Sequence, residues 1–188
     1  MTVMMKTLFL PLLFASLLWA APSTALAGPA HDFAFRAIDG GELPLSAYRG
    51  KAVLVVNTAS FCGYTGQYAD LQAVWSKYRD RGLVVVGVPS NDFGRQEPGT
   101  AEDIQKFCQV NFSVDFPMAD KEVVKGDAAH PFYVWARETL GVRAAPKWNF
   151  HKYLVDQDGN LVGWFPTSVR PNAARVTDVL DALLATKS

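Results

Sequence analysis

The sequence predicts an α/β domain in which a central mixed β-sheet is flanked by helices and entered through an N-terminal β-hairpin. Three observations carry that expectation. Ala52 to Val56 and Leu83 to Val88 are apolar runs rich in β-branched residues, without polar alternation, as strands covered on both faces are. Between them Tyr68, Leu71, Val74, Trp75 and Tyr78 recur at helical spacing, which makes a strand-helix-strand unit with a right-handed crossover. Near the C-terminus the polar turn Asp156-Gln157-Asp158-Gly159-Asn160 joins two further strand-like runs, a strong hairpin signal.

Composition narrows the function classes. Of 188 residues 49% are hydrophobic, and 18 Lys and Arg balance 18 Asp and Glu. A neutral chain gives no electrostatic footprint for nucleic acid or for a membrane surface. Two cysteines and three histidines that do not cluster argue against a structural zinc site, and no cofactor is expected. Residues 1–27 read as a signal peptide. Lys6 supplies the positive start, Leu8 to Ala21 is apolar apart from Ser16, and Ala25-Leu26-Ala27 gives a small-x-small cleavage site,. The apolar run falls short of the roughly 20 residues of a membrane span. Cleavage after Ala27 is therefore expected, leaving residues 28–188 as one exported, periplasmic domain without stable membrane insertion. Export puts the two cysteines in an oxidising compartment, where they can pair.

Taken in order, Phe33, Phe35 and Ile38 precede the breaker Asp39-Gly40-Gly41, and Leu43 and Leu45 form the second arm of the N-terminal hairpin,. The run Ala52 to Val56 leads into a small polar turn holding Cys62. The helix that follows is ended by Gly82,. Pro89 to Gly99 is rich in turn formers and meets the Cys62 loop at the same sheet edge, where sites in open α/β sheets form. Thr100 caps a helix from Ala101 to about Val110, with Ile104 and Phe107 inward and Cys108 near its end,. Phe116-Pro117-Met118 is expected as a short strand and Ala129 to Leu140 as a helix. Trp148 to Val155 and Leu161 to Phe165 are the arms of the last hairpin, and Pro171 opens a final helix with Val176, Val179, Leu180, Leu183 and Leu184 as its apolar stripe,. About five or more strands are expected in the sheet.

Cys62 stands at the carboxyl end of a buried strand and ahead of a helix, where backbone N–H groups favour a thiolate. A free cysteine after a strand is, by itself, more often packing. Gln96 lies in the loop after the second strand, and Trp148 and Asn149 sit side by side at the start of a later one. Two carboxamides and an indole N–H hydrogen-bond without becoming charged. Such a group can hold a thiolate and a bound peroxide and stabilise negative charge on a departing oxygen. Singly, each reads as well as a core aromatic or a turn residue.

Three segments in register resemble the signatures of the glutathione peroxidase family. They are Asn57-Thr58-Ala59-Ser60-Phe61-Cys62-Gly63-Tyr64-Thr65, Asn91-Asp92-Phe93-Gly94-Arg95-Gln96-Glu97-Pro98-Gly99, and Lys147-Trp148-Asn149-Phe150-His151-Lys152-Tyr153-Leu154-Val155. The resemblance runs from about Asp32 to the C-terminus. It implies a thioredoxin-like fold and a tetrad of Cys62, the nucleophile toward peroxide, with Gln96, Trp148 and Asn149. Cys108, in Lys106-Phe107-Cys108-Gln109-Val110-Asn111-Phe112, matches the resolving cysteine of the thiol-dependent branch, whose reductant is thioredoxin. The implied substrates are hydrogen peroxide and organic or lipid hydroperoxides. The implied cycle takes Cys62 to a sulfenic acid and then to a Cys62–Cys108 disulfide that an external dithiol reduces, with the helix of Cys108 partly unwinding.

The chain also departs from the family's pattern. Ser90 stands where many thiol-dependent members have a third cysteine, Asp92 replaces a glutamine, and cysteine replaces selenocysteine at position 62. Gly163-Trp164 occupies the place of an arginine that would serve charged glutathione. The stretch from Met118 to Pro146 is too short for the interface loop of tetrameric members, which implies a monomer. Two alternatives stay open. The enzyme could use glutathione with Cys108 incidental, or the two cysteines could form a permanent staple. A thiol-disulfide module would want a second cysteine at Thr65 or Gly66. Ala59 and Val55 stand where a typical peroxiredoxin has Thr and Pro.

Overall fold

The computed structural model describes residue 1 and residues 29–185, so the leader and its cleavage site lie outside the described residues. Strands β1 (Ala34–Arg36) and β2 (Glu42–Pro44) form the N-terminal hairpin as a separate two-stranded sheet. The main sheet holds β3 (Ala52–Thr58), β4 (Leu83–Pro89), β5 (Lys152–Val155) and β6 (Leu161–Phe165). Its order is β4-β3-β5-β6, with β3 parallel to β4 and antiparallel to β5. The sheet is therefore mixed, as the sequence predicts, with four strands rather than five or more. The expected strand at Phe116-Pro117-Met118 is reduced to one bridge between Met118 and Gly87. Two backbone hydrogen bonds, from Gly87 to Pro117 O and from Ala119 to Gly87 O, dock it on β4. Gly87 makes the approach possible: a Cβ there would sit 2.3 Å from the Met118 sulfur.

Side chains alternate across β3, so its apolar run feeds two cores. Leu54 and Val56 join Leu71, Val74 and Tyr78 of α1 (Gln67–Tyr78), Ile104 and Cys108 of α2 (Ala101–Phe112), and Val176 and Leu180 of α4 (Ala174–Ala185). Val53 and Val55 face Phe132, Tyr133, Trp135 and Ala136 of α3 (Pro131–Leu140), together with Phe35 and Leu45 from the hairpin side. All seven residues of β3 and of β4 are buried, which explains why Ala52 to Val56 and Leu83 to Val88 run without polar alternation.

Helix ends follow local chemistry. Thr100 and Asp103 cap α2 reciprocally, each side chain bonding the other's backbone N–H,. Ser113, left-handed at φ 52°, ends it. A short 3-10 turn carries the chain from α1 to Gly82, whose φ of 96° turns it toward β4,. Two expected starts shift. α3 opens at Pro131 rather than Ala129, with the His130 side chain accepting the Phe132 N–H, and α4 opens at Ala174, past Pro171.

Candidate active site

Cys62 sits in a run of turns after β3, five residues before α1 begins. It is 8% exposed. The local fold is knotted by Thr65, whose hydroxyl accepts the Cys62 N–H at 3.0 Å and lies 2.7 Å from the Cys62 carbonyl, to which it donates. The Thr65 N–H returns to the same carbonyl at 3.0 Å. This closes a tight loop that turns the Tyr64 N–H toward the thiol, at 3.4 Å from Cys62 Sγ. An N–H aimed at sulfur stabilises negative charge on it. This N–H belongs to the loop, because α1 starts only at Gln67, farther on than the sequence suggests.

The second segment reaches the same place. The Phe61 N–H donates to the Gln96 carbonyl at 3.0 Å, tying the loop after β4 to the residue before Cys62. Gln96 Oε1 accepts from Asn149 Nδ2 at 3.0 Å. The two carboxamides are thereby oriented by each other, and Asn149, fully buried, leaves its own Oδ1 without a partner. Both are flanked by left-handed backbone at non-glycine residues, Arg95 at φ 54° and Phe150 at φ 61°. Such conformations cost on the order of 1–3 kcal/mol and persist only where surroundings impose them.

Trp148 and Asn149 lie in a turn ahead of β5, not at the start of a strand: the strand begins at Lys152. The turn is fastened from several sides. Asn57 Nδ2 donates to the Trp148 carbonyl at 3.1 Å, and the Asn57 carbonyl accepts the Phe150 N–H. Thr167 Oγ1 donates to the Asn149 carbonyl at 2.8 Å. Lys152, fully buried, donates from Nζ to the carbonyls of Phe150 and Val169 at 2.6 and 2.7 Å. The Trp148 ring packs on Phe93 and is 39% exposed. Phe61 and Tyr64 of the Cys62 loop are 66% and 43% exposed, and Tyr64 and Trp148 line one groove. The Phe61–Gln96 and Gln96–Asn149 hydrogen bonds tie together the segments that carry Cys62, Gln96, and Trp148 with Asn149. Neither carboxamide nor the indole N–H bonds the sulfur itself.

Cys108 is nearly inaccessible in the core between α2 and the sheet, in the same buried cluster as Cys62. Both thiols are free. The Phe61 and Phe107 rings, 6.1 Å apart, bring α2 against the Cys62 loop. Burial pushes the Cys108 thiol up to about 11; Tyr68 works against the rise and the Glu97 charge adds to it. Cys108 is therefore a neutral thiol in this conformation.

Sequence reasoning passed over Asn57, Glu97 and Lys152. Each is a polar residue in an apolar or turn context, and each is buried. The one signal for Lys152 was a lysine heading the apolar run Tyr153-Leu154-Val155. Glu97 Oε2 accepts the Ser60 N–H at 2.9 Å under the Cys62 loop, and burial pushes its carboxyl up to about 7.

Residues 30–137 match the family model described as glutathione peroxidase. A glutathione peroxidase-like peroxiredoxin, gpx1, of Schizosaccharomyces pombe is 44% identical over 144 residues, which are 75% of this chain and 90% of that one. A hydroperoxy fatty acid reductase, gpx1, of Synechocystis is 39% identical over 150 residues, 76% of this chain and 89% of that one. Among solved structures, Trgpx in apo form superposes with a TM-score of 0.68 at 34% identity, covering 85% of this chain and 98% of that one. A thioredoxin-family thiol:disulfide interchange protein from Chlorobium tepidum superposes with a TM-score of 0.61 at 18% identity, covering 83% and 95%. That second likeness bears on the fold alone, which is thioredoxin-like.

Proposed function

The chain belongs to the glutathione peroxidase family and is a peroxidase, and from that premise we propose that it works through a two-cysteine cycle closed by a dithiol reductant. The observation that carries the proposal is the Cys62 loop: a thiol with a backbone N–H aimed at it, in a loop bonded to the Gln96 backbone, with the Gln96 side chain paired to Asn149. In the first step the Cys62 thiolate attacks the terminal oxygen of the peroxide. The O–O bond breaks, a proton converts the departing alkoxide or hydroxide to alcohol or water, and Cys62 becomes a sulfenic acid. In the second step the Cys108 sulfur attacks the Cys62 sulfur and water leaves, giving a disulfide. In the third, an external dithiol exchanges with that disulfide and is itself oxidised. The sum is peroxide plus dithiol to alcohol or water, water and disulfide.

Cys108 supports a dithiol over glutathione, because it gives the sulfenic acid an internal partner. Trp164 in place of a charged residue near the site supports the same choice. The exposed aromatic side chains Phe61, Tyr64 and Trp148 favour organic hydroperoxides besides hydrogen peroxide, and the Synechocystis relative is named for hydroperoxy fatty acids. The leader expected at residues 1–27 makes a periplasmic thioredoxin-like protein the donor, and the short stretch from Met118 to Pro146 makes the enzyme a monomer.

Steady-state peroxide consumption with thioredoxin and with glutathione, each coupled to its own reductase, tests this reading. Turnover with thioredoxin exceeds that with glutathione by at least tenfold. Cys62→Ser abolishes both, and Cys108→Ser abolishes the thioredoxin-driven rate. Faster turnover with glutathione, or a Cys108→Ser enzyme that keeps its thioredoxin rate, contradicts it.

A further inference from the structure

A groove of about 310 Å³ opens beside the site between Trp148 and Trp164, with Tyr64 at one end and His151 among the groups that line it. His151 is 2% exposed, and its ring is stacked on Trp164 at a centroid distance of 5.2 Å and an interplanar angle of 16°. Its Nε2 is buried and has no partner, and the nearby Ala144 carbonyl favours a proton on the ring. Burial, with the Lys152 charge behind it, holds this imidazole down to about 4, so the ring is neutral. A neutral imidazole carries one N–H and one bare lone pair, and assigning the proton to Nδ1 leaves the lone pair on Nε2. An orphaned acceptor in the interior is costly unless something donates to it. Here two indoles, Pro166 and the buried imidazole line one opening together with Lys147, Thr167 and Ser168, and that opening adjoins the thiol: Tyr64 gives its N–H to Cys62 Sγ and also lines the groove.

From this arrangement we propose that the groove between Trp148 and Trp164 is the subsite for the organic tail of a hydroperoxide. The apolar body of the tail lies between the indoles, and a hydroxyl or N–H at its far end donates to His151 Nε2. The proposal deepens the peroxidase reading and rests on it. It makes Trp164 and His151 specificity determinants, neither touching the reacting oxygens. Hydrogen peroxide, having no tail, reaches Cys62 without using the groove. The substrates favoured are therefore apolar hydroperoxides that carry a second donor, not the bare alkyl compounds.

Three peroxides of graded reach test it on the full enzyme with thioredoxin as donor: hydrogen peroxide, cumene hydroperoxide, and the para-dihydroperoxide of diisopropylbenzene, whose second hydroperoxyl is an O–H donor across the ring. Trp164→Ala raises KM for cumene hydroperoxide about tenfold more than KM for hydrogen peroxide. The wild-type enzyme prefers the dihydroperoxide to cumene hydroperoxide by about fivefold in kcat/KM, and His151→Phe, which keeps the ring stack, reduces this to about the twofold that two reactive groups give by counting. Equal losses on all three peroxides in both variants, or a preference that His151→Phe leaves intact, overturns the subsite. A wild-type enzyme that turns over none of the three, hydrogen peroxide included, overturns the peroxidase reading instead.

Discussion

Glu97 carries its carboxyl into the interior, where Oε2 accepts the Ser60 N–H two residues before Cys62. Its folded-state value, raised from 4.5 to about 7 by burial and drawn back by Ser60 and Lys121, fixes a sign. Below about 4.5 the group is protonated folded or unfolded and costs nothing. As pH rises through about 7 the folded protein must carry a buried carboxylate, and up to about 3 kcal/mol of stability is lost. His151, held down to about 4, runs the other way, gaining stability as pH rises through 4 to 6.5, so the two oppose each other in the wild-type profile. The difference between Glu97→Gln and wild type isolates the carboxyl. Thermal unfolding from pH 4.5 to 8 shows the variant gaining on wild type as pH rises; a constant difference would remove the ionisation from the account. At this scale the sequence disclosed Cys62, Gln96, Trp148 and Asn149 through motifs with a chemical sense. It hid Asn57, Glu97 and Lys152, because their work is to bond backbone carbonyls and amides of distant turns. Such partners leave no mark on side-chain composition.

At the scale of elements, α2 has two duties that conflict. Its capping box at Thr100 and Asp103 and its left-handed stop at Ser113 define a complete helix, and Cys108 faces the core from its last turn and a half, with the Cys108 carbonyl accepting the Ser113 and Val114 N–H groups. The two sulfurs now have different surroundings, Cys62 against the Tyr64 N–H and Cys108 among buried core groups. Disulfide formation needs Cα atoms about 4.4–6.8 Å apart with matching directions. We therefore expect the C-terminal half of α2 to unwind on oxidation while the capped N-terminus holds. Hydrogen exchange on reduced and disulfide forms shows lower protection for Gln105 to Phe112 in the oxidised protein and little change at Glu102 and Asp103; equal protection throughout contradicts this. The element pattern was legible where periodicity was strong, in β3, β4, α1 and α2. It failed at Trp148 to Phe150. There a left-handed Phe150 at φ 61° breaks what reads as a strand, and no glycine marks the break.

Across the whole molecule, the parallel β3-β4 pair and the antiparallel β5 converge on one sheet edge. Each delivers a loop to the thiol: Cys62 after β3, Gln96 after β4, and Trp148 with Asn149 before β5. The mixed topology was foreseeable from two double-faced strands and a terminal hairpin. The strand count was not, because Phe116 to Met118 supplies apolar residues to the core while making only one bridge. What the fold adds to the motifs is the placement of a second buried thiol in the core cluster that holds the first. Peptide mass mapping after one equivalent of hydrogen peroxide, with rapid acid quench, tests that pairing most directly. The account predicts a Cys62–Cys108 disulfide in most molecules, and a Cys62 sulfenic acid in its place in Cys108→Ser. Cys62 oxidised to sulfenic or sulfinic acid in the wild-type protein, with Cys108 still a free thiol, would contradict it.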